Sequence, residues 1–191
     1  MTSLAVIVGS TREGSYNRAL GDLAAASLAA HGAQVTRVDL GVFDLPLYSA
    51  ALEATAFPPD ALKLKGIFAV QDGLLFVSPE YNGSLPPLLK NAIDWASRPT
   101  GDEGLVALTA YRGKAAAIMS ASISPFGGLR GLMHLRQILS TVQMLVIPDQ
   151  VVVPNAHAAF DAAGALKEAL PASLVDMTAA RLVAVARALA A

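Results

Sequence analysis

The stretch from residue 4 to residue 30 constrains the fold of this chain more than any other. Residues 4–8, Leu-Ala-Val-Ile-Val, form an unbroken apolar run rich in β-branched side chains. Such a run predicts a strand that is covered on both faces, as in a parallel sheet. Gly9 ends the run, and an alanine-rich helix is predicted over residues 16–30. A buried strand followed at once by a helix is typical of an α/β protein.

The loop between this strand and this helix has the composition of an anion-binding turn. Most residues from 10 to 17 are small, hydroxylated or amide-bearing, so backbone N–H groups and hydroxyls can converge where the helix presents its positive end. Arg12 adds a fixed positive charge suited to a phosphate. The alternative is an ordinary turn in which Ser15 only caps the helix.

Strands and helices alternate five times, which predicts a mostly parallel sheet with helices on both faces. Further strands are predicted at residues 34–40, 73–77, 114–120 and 144–147, and helices at residues 60–71, 87–97, 129–141 and from residue 173 onward. The second strand is polar and therefore suits a sheet edge, which favours the strand order 2-1-3-4-5. In such sheets a ligand binds beyond the carboxyl ends of the strands, where the order reverses.

Three stretches carry no clear periodic pattern. Residues 41–59 contain three prolines and are predicted to be a long surface connection. Residues 100–113 are predicted to be a loop, and its apolar piece at 105–108 suggests contact with another surface. Residues 148–170 are expected to be irregular, with a short extended piece at 151–153. Ser173 followed by Asp176 resembles a capping box at the start of the last helix.

Composition narrows the classes of function. A chain of 191 residues suits one domain, and we expect residues 1–191 to form a single one. The net charge of -1 gives no basic surface for a nucleic acid. No apolar run approaches the roughly 18 residues of a membrane span, and no basic region precedes the first strand. We therefore expect a soluble cytoplasmic protein without a nucleic-acid or membrane partner.

Other counts bear on metals and on assembly. The chain has no cysteine, and its three histidines are far apart in sequence, so no metal site and no thiol nucleophile is predicted. Hydrophobic residues make up 54% of the chain, more than in an average soluble domain. We expect part of this excess to lie in a subunit interface.

Two later loops share the character of the first. Residues 78–86 follow the third strand and contain two fixed prolines, a glycine and Tyr81, whose ring offers an aromatic face to a flat ligand. The alternative for this loop is a rigid surface turn in which Tyr81 covers the core. Residues 120–128 follow the fourth strand and again combine hydroxyls with two glycines. The predicted topology brings all three loops to one edge of the sheet.

These loops and their flanking helices resemble the NADPH-dependent FMN reductase family, which includes quinone, azo-dye and chromate reductases. The most specific matches are Pro-Glu-Tyr-Asn at 79–82 and Leu-Lys-Asn-Ala-Ile-Asp-Trp at 89–95. Asp-Leu-Pro-Leu-Tyr at 44–48 and Gly-Gly-Leu-Arg at 127–130 extend the resemblance over most of the chain. One departure is the connection 100–113, which is a few residues longer than the family pattern. The resemblance implies a flavodoxin-like three-layer sandwich that binds FMN and takes electrons from NADPH or NADH.

The resemblance also implies roles for individual residues. Those that would hold the FMN phosphate are Ser10, Arg12, Ser15 and Asn17, with Tyr16 lining the ribityl chain. The residues that would contact the isoalloxazine, mainly through main-chain groups, are Pro79, Glu80, Tyr81, Asn82 and Gly83. Ser120 and Ser122 would contact its other side. Residues on the helix after the second loop, Lys90, Asn91, Asp94 and Trp95, are expected in structural or dimer contacts. An alternative role for Arg12 is to bind the 2′-phosphate of NADPH.

The implied activity is hydride transfer from NADPH to FMN, followed by reduction of a quinone, an azo compound, free flavin or a metal oxyanion. The flavin supplies this chemistry, so no side chain is predicted to act as a catalytic acid or base. A homodimer or homotetramer is implied as well.

Two alternatives remain at this point. A flavodoxin-type electron carrier would bind FMN without a small-molecule substrate of its own, but it would be expected to show an acidic docking face. A generic nucleotide-binding domain is disfavoured because residues 9–14, Gly-Ser-Thr-Arg-Glu-Gly, lack the Lys-Ser/Thr of a phosphate-binding P-loop.

Overall fold

A five-stranded, all-parallel sheet forms the centre of the computed structural model, which describes residues 1–190. The strands are β1 Ser3–Val8, β2 Gln34–Asp39, β3 Gly73–Val77, β4 Ala115–Ala121 and β5 Leu145–Val153. Their order is β2-β1-β3-β4-β5, which confirms the predicted order. Every residue of β3 and β4 is buried, as expected for strands covered on both faces.

Helices cover both faces of this sheet. They are α1 Tyr16–Ala30, α2 Ala50–Thr55, α3 Pro59–Ala69, α4 Pro87–Ser97, α5 Leu129–Thr141, α6 Ala156–Ala159 and α7 Ala169–Leu189, with a 3-10 turn at Leu40–Val42. One core cluster joins α1 and α7 to the sheet, and it includes Leu20 and Leu182. The other cluster joins α3, α4 and α5 to the opposite face, and it includes Phe68, Leu89 and Leu135. This arrangement is the three-layer sandwich expected from the alternating pattern.

The polar second strand lies at the sheet edge, as predicted. β2 pairs only with β1 among the described strands, and Val38 is its one buried residue. Arg18 on α1 forms an ion pair with Asp39 at the end of β2, with an N–O distance of 2.7 Å. The edge position explains why this strand tolerates charged and amide side chains.

Two expectations for the C-terminal third are wrong. Residues 145–153 form one strand, whose register against β4 shifts between Ala116 and Ile118, instead of a short strand followed by irregular chain. The last helix begins at Ala169, so Ser173 lies inside it and caps nothing. Asp176 instead accepts hydrogen bonds from Ser27 of α1 and from His31, the residue that follows α1.

Of the two long connections, one contains a helix that was not predicted, and the other is a loop, as predicted. Residues 41–59 contain α2, a short helix whose N-cap Ser49 accepts a hydrogen bond from the Leu52 N–H at 3.1 Å. Residues 100–113 form an irregular loop that is fastened by Glu103 to the buried side chain of Lys65. Both segments therefore have fixed positions beside the sheet.

By length and composition alone, α7 is apolar enough to cross a membrane. Buried core helices share this property. Here the apolar face of α7 packs against the sheet and α1, through Val175, Ala179, Leu182 and Ala186. This packing accounts for the apolar composition of that face.

Candidate functional site

The loops after β1 and β3 lie side by side at the carboxyl edge of the sheet. The Gly9 N–H donates to the Val77 carbonyl at 2.8 Å, and the Ser78 N–H donates to the Met119 carbonyl at 2.9 Å. A Cβ added at Gly9 would lie 3.2 Å from the Leu89 side chain. The absence of a side chain at Gly9 therefore helps the first loop to pack against α4, the helix that follows the second loop.

Asn17 joins the first loop to the third. Its Nδ2 donates to the Ala121 carbonyl at 2.8 Å, and its Oδ1 accepts the Ala121 N–H at 2.9 Å. The residue is buried. The resemblance assigned Asn17 to the phosphate, whereas in the structure its amide holds the end of β4 and keeps one N–H for any further partner. Asn17 thus fixes the spacing of two loops.

The start of α1 presents free donors to the first loop. Ser10 and Ser15 are buried. Ser15 is the N-cap residue of α1, yet its hydroxyl makes no capping hydrogen bond, which argues against the alternative that it only caps the helix. Among residues 1–190, no protein acceptor lies within hydrogen-bonding distance of the Tyr16 and Asn17 N–H groups. Free N–H groups at a helix start suit an anion.

Arg12 and Tyr16 extend this loop toward solvent. The guanidinium of Arg12 lies 5.7 Å from the centre of the Tyr16 ring, within the range of a cation–π contact. Arg12 is exposed and forms no ion pair with any described residue. The Tyr16 ring stacks in turn on Phe160, with 6.0 Å between ring centres and 10° between ring planes. Arg12 is therefore available to an anionic ligand.

The second loop is a tight turn with exposed tips. Tyr81 and Ser84 exchange two backbone hydrogen bonds of 2.8 and 3.0 Å, and Asn82 and Gly83 between them have φ values of 51° and 79°. Two consecutive positive φ values define a type I′ turn, for which Asn-Gly is the favoured pair. Tyr81 is 53% exposed, so it does not cover the core. Its ring is free to contact a ligand.

The Glu80 side chain points away from solvent and onto α5. This side chain is only 4% exposed, and its carboxylate accepts hydrogen bonds from Arg130 Nε at 2.9 Å and from the Gly131 N–H at 3.1 Å. Burial alone would raise the pKa of Glu80, but the Gly131 N–H and the Arg130 guanidinium more than offset it, so the pKa lies below its usual value. The side chain of Glu80 is therefore occupied by α5, and only its main chain remains available to a ligand.

Sequence reasoning did not assign a role to Arg130. The signal was present in the Gly-Gly-Leu-Arg run at 127–130, but nothing local indicates that its arginine reaches a residue fifty positions earlier. A second tie joins the same two elements, since His134 Nδ1 lies 3.0 Å from Ser84 Oγ. The turn is thus attached to α5 at two places.

Ser120 and Ser122 occupy the third loop in different ways. Ser120 is fully buried, and its Oγ has no hydrogen-bond partner in the part of the chain that the structure describes. Ser122 Oγ accepts the Ser124 N–H at 3.2 Å, and the Ser122 N–H donates to the Val153 carbonyl at 3.0 Å. Ser122 therefore shapes the turn, whereas Ser120 offers an unsatisfied buried hydroxyl of the kind that a ligand or water normally satisfies.

The amide and the indole of α4 face inward, as expected for structural residues. Asn91 Nδ2 donates to the Pro46 carbonyl at 3.0 Å, and Asn91 Oδ1 accepts the Tyr48 N–H at 2.8 Å. Trp95 Nε1 donates to the same Pro46 carbonyl at 2.7 Å. The two most recognisable helix residues therefore attach the 44–48 segment to the fold.

A family model fits this architecture. The model of the NADPH-dependent FMN reductase family matches residues 2–158, which include all three loops. The chain belongs to this family. An NAD(P)H-dependent FMN reductase of Pseudomonas aeruginosa is 39% identical over 161 residues, with 84% of this chain and 82% of the relative covered. A 2-hydroxy-1,4-benzoquinone reductase of a Burkholderia species is 40% identical over 144 residues, covering 75% of this chain and 73% of that relative.

Solved structures agree with this membership. FerB, a flavoenzyme NAD(P)H:(acceptor) oxidoreductase of Paracoccus denitrificans, superposes with a TM-score of 0.83 at 29% identity, and 98% of each chain is covered. The flavodoxin-like fold is thereby confirmed. The family uses FMN with NAD(P)H as the electron donor, so the chain is an FMN-dependent oxidoreductase.

The residues present are chemically compatible with FMN. Free N–H groups at the start of α1 and the cation of Arg12 suit a phosphate. The exposed Tyr81 ring and the buried Ser120 hydroxyl suit a flat heterocycle with polar edges. These groups lie on loops that Asn17 and Glu80 hold in place.

Proposed function

We propose that the three loops form the FMN site of an NAD(P)H-dependent quinone reductase. The FMN phosphate would lie on the first loop, and the isoalloxazine ring would lie against the second and third loops. The residues assigned to the cofactor are Ser10, Arg12, Ser15, Tyr16, Asn17, Pro79, Glu80, Tyr81, Asn82, Gly83, Ser120 and Ser122. The observation that carries this proposal is the convergence of unpaired donors at one sheet edge: the N–H groups of the first turn of α1 and the orphan hydroxyl of Ser120.

The protein's part in the reaction is to position flat reactants. FMN, when bound, supplies the two-electron chemistry. The type I′ turn at 81–84 holds the N–H groups of Asn82 and Gly83 in a fixed orientation, because both ends of the turn are hydrogen-bonded. Glu80 is ionised and paired with Arg130, so it has no proton to give. No side chain is assigned as a general acid or base.

A quinone is the acceptor that the comparisons favour. The Burkholderia relative is named for a benzoquinone substrate. A planar quinone could stack where the nicotinamide had been, since Tyr81 is exposed and could provide an aromatic wall. Free flavins, azo dyes and metal oxyanions are the other acceptors to be assayed.

The functional unit in this proposal is a homodimer or homotetramer of single-domain subunits spanning residues 1–191, in the cytoplasm, without nucleic-acid or membrane partners. Large exposed apolar side chains support self-association, among them Leu105, Val106, Ile123, Phe126 and Met133. Light scattering of the FMN-loaded protein is the test. A stable monomer at micromolar concentration with FMN bound normally would contradict this part of the proposal.

The activity is tested by anaerobic rapid mixing of the FMN-loaded protein with NADPH or NADH. We expect the flavin absorbance to bleach without any acceptor present, and a quinone added afterwards to restore it. Steady-state rates should follow a ping-pong pattern, because nicotinamide and quinone would use one face of the ring. If neither nucleotide bleached the flavin while a one-electron donor did, an electron carrier would replace the reductase.

A further inference from the structure

Phe160 lies beyond the part of the chain that the family model matches, which ends at residue 158. Even so, its ring reaches the start of α1 and stacks on Tyr16, with centres 6.0 Å apart and planes 10° from parallel. Both rings are half-buried. An offset parallel stack of this kind is one of the favoured arrangements for two aromatic rings.

The loop that carries Phe160 closes on itself. Phe160 forms an isolated antiparallel bridge with Leu166. Between them, Asp161 Oδ1 accepts the N–H groups of Ala163 and Ala165, each at 2.9 Å. These bonds restrict the backbone of residues 160–166, so Phe160 is presented from a constrained loop and not from a free tail.

Tyr16 also contacts the one free cation of the first loop. The Arg12 guanidinium lies 5.7 Å from the centre of its ring. In the described chain Arg12 makes no ion pair and donates no hydrogen bond to a protein acceptor, so the cation–π contact with Tyr16 is the one electrostatic contact found for its guanidinium. A ring held by Phe160 is a better platform for Arg12 than a ring free to change rotamer.

We propose that Phe160 is a positioning residue for the phosphate end of the flavin site, acting through Tyr16 on Arg12. This inference rests on the proposed phosphate role of the first loop. Phe160 is not assigned to touch the cofactor. Its part is to reduce the conformations open to Tyr16 and Arg12 before the ligand arrives, which lowers the ordering cost of binding.

The test is a flavin titration of the flavin-free protein. The Kd values of FMN and riboflavin, which lacks the phosphate, are compared for wild type and Phe160→Leu. We expect Phe160→Leu to reduce the preference for FMN over riboflavin by about three- to tenfold. Phe160→Tyr keeps the ring and should retain the wild-type preference. Phe57→Leu, which removes a half-buried aromatic ring that packs on Trp95 instead, is the matched control and should also retain it.

The route through Arg12 is tested by a double-mutant cycle. In an Arg12→Ala background, Phe160→Leu should cost no further FMN preference, because the cation that it positions is gone. If the losses of FMN preference caused by Arg12→Ala and by Phe160→Leu simply added in the double variant, this route would be overturned. Equal losses for both flavins, or no loss at all, would overturn the positioning role. If Phe160→Leu does not fold, Phe160→Met is used with the same expectation.

The outcomes separate this inference from the proposed function. If wild type shows no preference for FMN over riboflavin, the phosphate assignment of the first loop fails. If wild type prefers FMN and Phe160→Leu keeps that preference in full, only the role of Phe160 fails.

Discussion

Glu80 and Arg130 are fifty residues apart in sequence, yet Arg130 Nε donates to Glu80 Oε1 at 2.9 Å. The Glu80 side chain is almost wholly buried, and this contact, the bond from the Gly131 N–H and the His134–Ser84 contact together attach the second loop to α5. The side chain of Glu80 thus binds α5, and only its main chain remains available to the cofactor. A charged residue can therefore line the proposed flavin site without placing its charge there.

We predict that Glu80→Gln destabilises the flavin-free protein by about 1 kcal/mol. The glutamine keeps an acceptor for the Gly131 N–H but loses the charge that pairs with Arg130, whose side chain is 55% exposed and therefore screened by water. Urea unfolding measures the change. The matched control is Asp94→Asn, which breaks the half-exposed i,i+4 pair with Lys90 and should cost at most about 0.5 kcal/mol. Equal effects of the two substitutions would contradict the account of Glu80.

Asn17→Asp should cost about 1–3 kcal/mol of unfolding free energy. The substitution keeps the shape of the side chain but removes the N–H that donates to the Ala121 carbonyl, which leaves a buried acceptor unpaired. Asn82→Asp, the same chemical change at an exposed turn position, is the control and should be nearly neutral. Urea unfolding at neutral pH gives both values. A neutral Asn17→Asp would mean that this amide does not hold the two loops together.

Gly128→Ala should destabilise the protein by roughly 2–4 kcal/mol. Gly128 has φ +92°, and a Cβ there would overlap the Ser120 Oγ and lie 2.7 Å from the Ser120 Cβ. Gly66→Ala is the control, because Gly66 lies inside α3 with open space around the added Cβ and should gain stability from the better helix former. Thermal unfolding compares the two. A stable Gly128→Ala would show that the backbone near Ser120 is not constrained as described.

Glu103 should contribute to stability against acid. Burial alone would raise its pKa, but hydrogen bonds from Lys65, Thr109 and the Thr100 N–H lower it to about 2, from an unperturbed value of 4.5. A carboxylate whose pKa is depressed by folding adds stability that is complete above the unfolded value and is lost as the pH falls through the folded value. The loss therefore falls between about pH 4.5 and pH 2.

The measurement is the free energy of unfolding as a function of pH for wild type and Glu103→Gln. The variant should be less stable than wild type at pH 7, and this difference should shrink as the pH falls through that window. Glu13→Gln, which removes a carboxylate at an exposed position, is the matched control. Parallel curves for wild type and Glu103→Gln would remove the proposed link between Lys65 and the loop 100–113.

The sequence predicted those features that depend on local pattern. Apolar runs located the buried strands, and the polarity of residues 34–40 located the edge strand. Pattern failed where tertiary contacts decide. Ser173 and Asp176 have the spacing of a capping box, yet Asp176 hydrogen-bonds Ser27 and His31 at the surface, where α7 packs beside α1. The strand over residues 145–153 was predicted to end early because Pro148 interrupts the apolar run. In the structure the strand continues past Pro148 through a register shift.

The candidate site likewise has features that the sequence predicts and features that it does not. Its loops could be predicted, because small, hydroxylated and proline-rich segments follow predicted strands. The partners of its side chains could not. Nothing in the sequence indicates that Asn17 reaches Ala121 or that Phe160 reaches Tyr16, because these contacts depend on how α1 and the C-terminal segment pack.

The most direct test of the account is a fluorescence titration of FMN and riboflavin against wild type and Arg12→Ala. A charge-assisted hydrogen bond to the phosphate contributes roughly 1.5–3 kcal/mol, so the FMN Kd should rise roughly 10- to 150-fold. Riboflavin, which has no phosphate, should bind almost as before. FMN binding should weaken without vanishing, because the start of α1 and the hydroxyls of Ser10 and Ser15 remain. Equal losses for the two flavins would contradict the placement of the phosphate on the first loop.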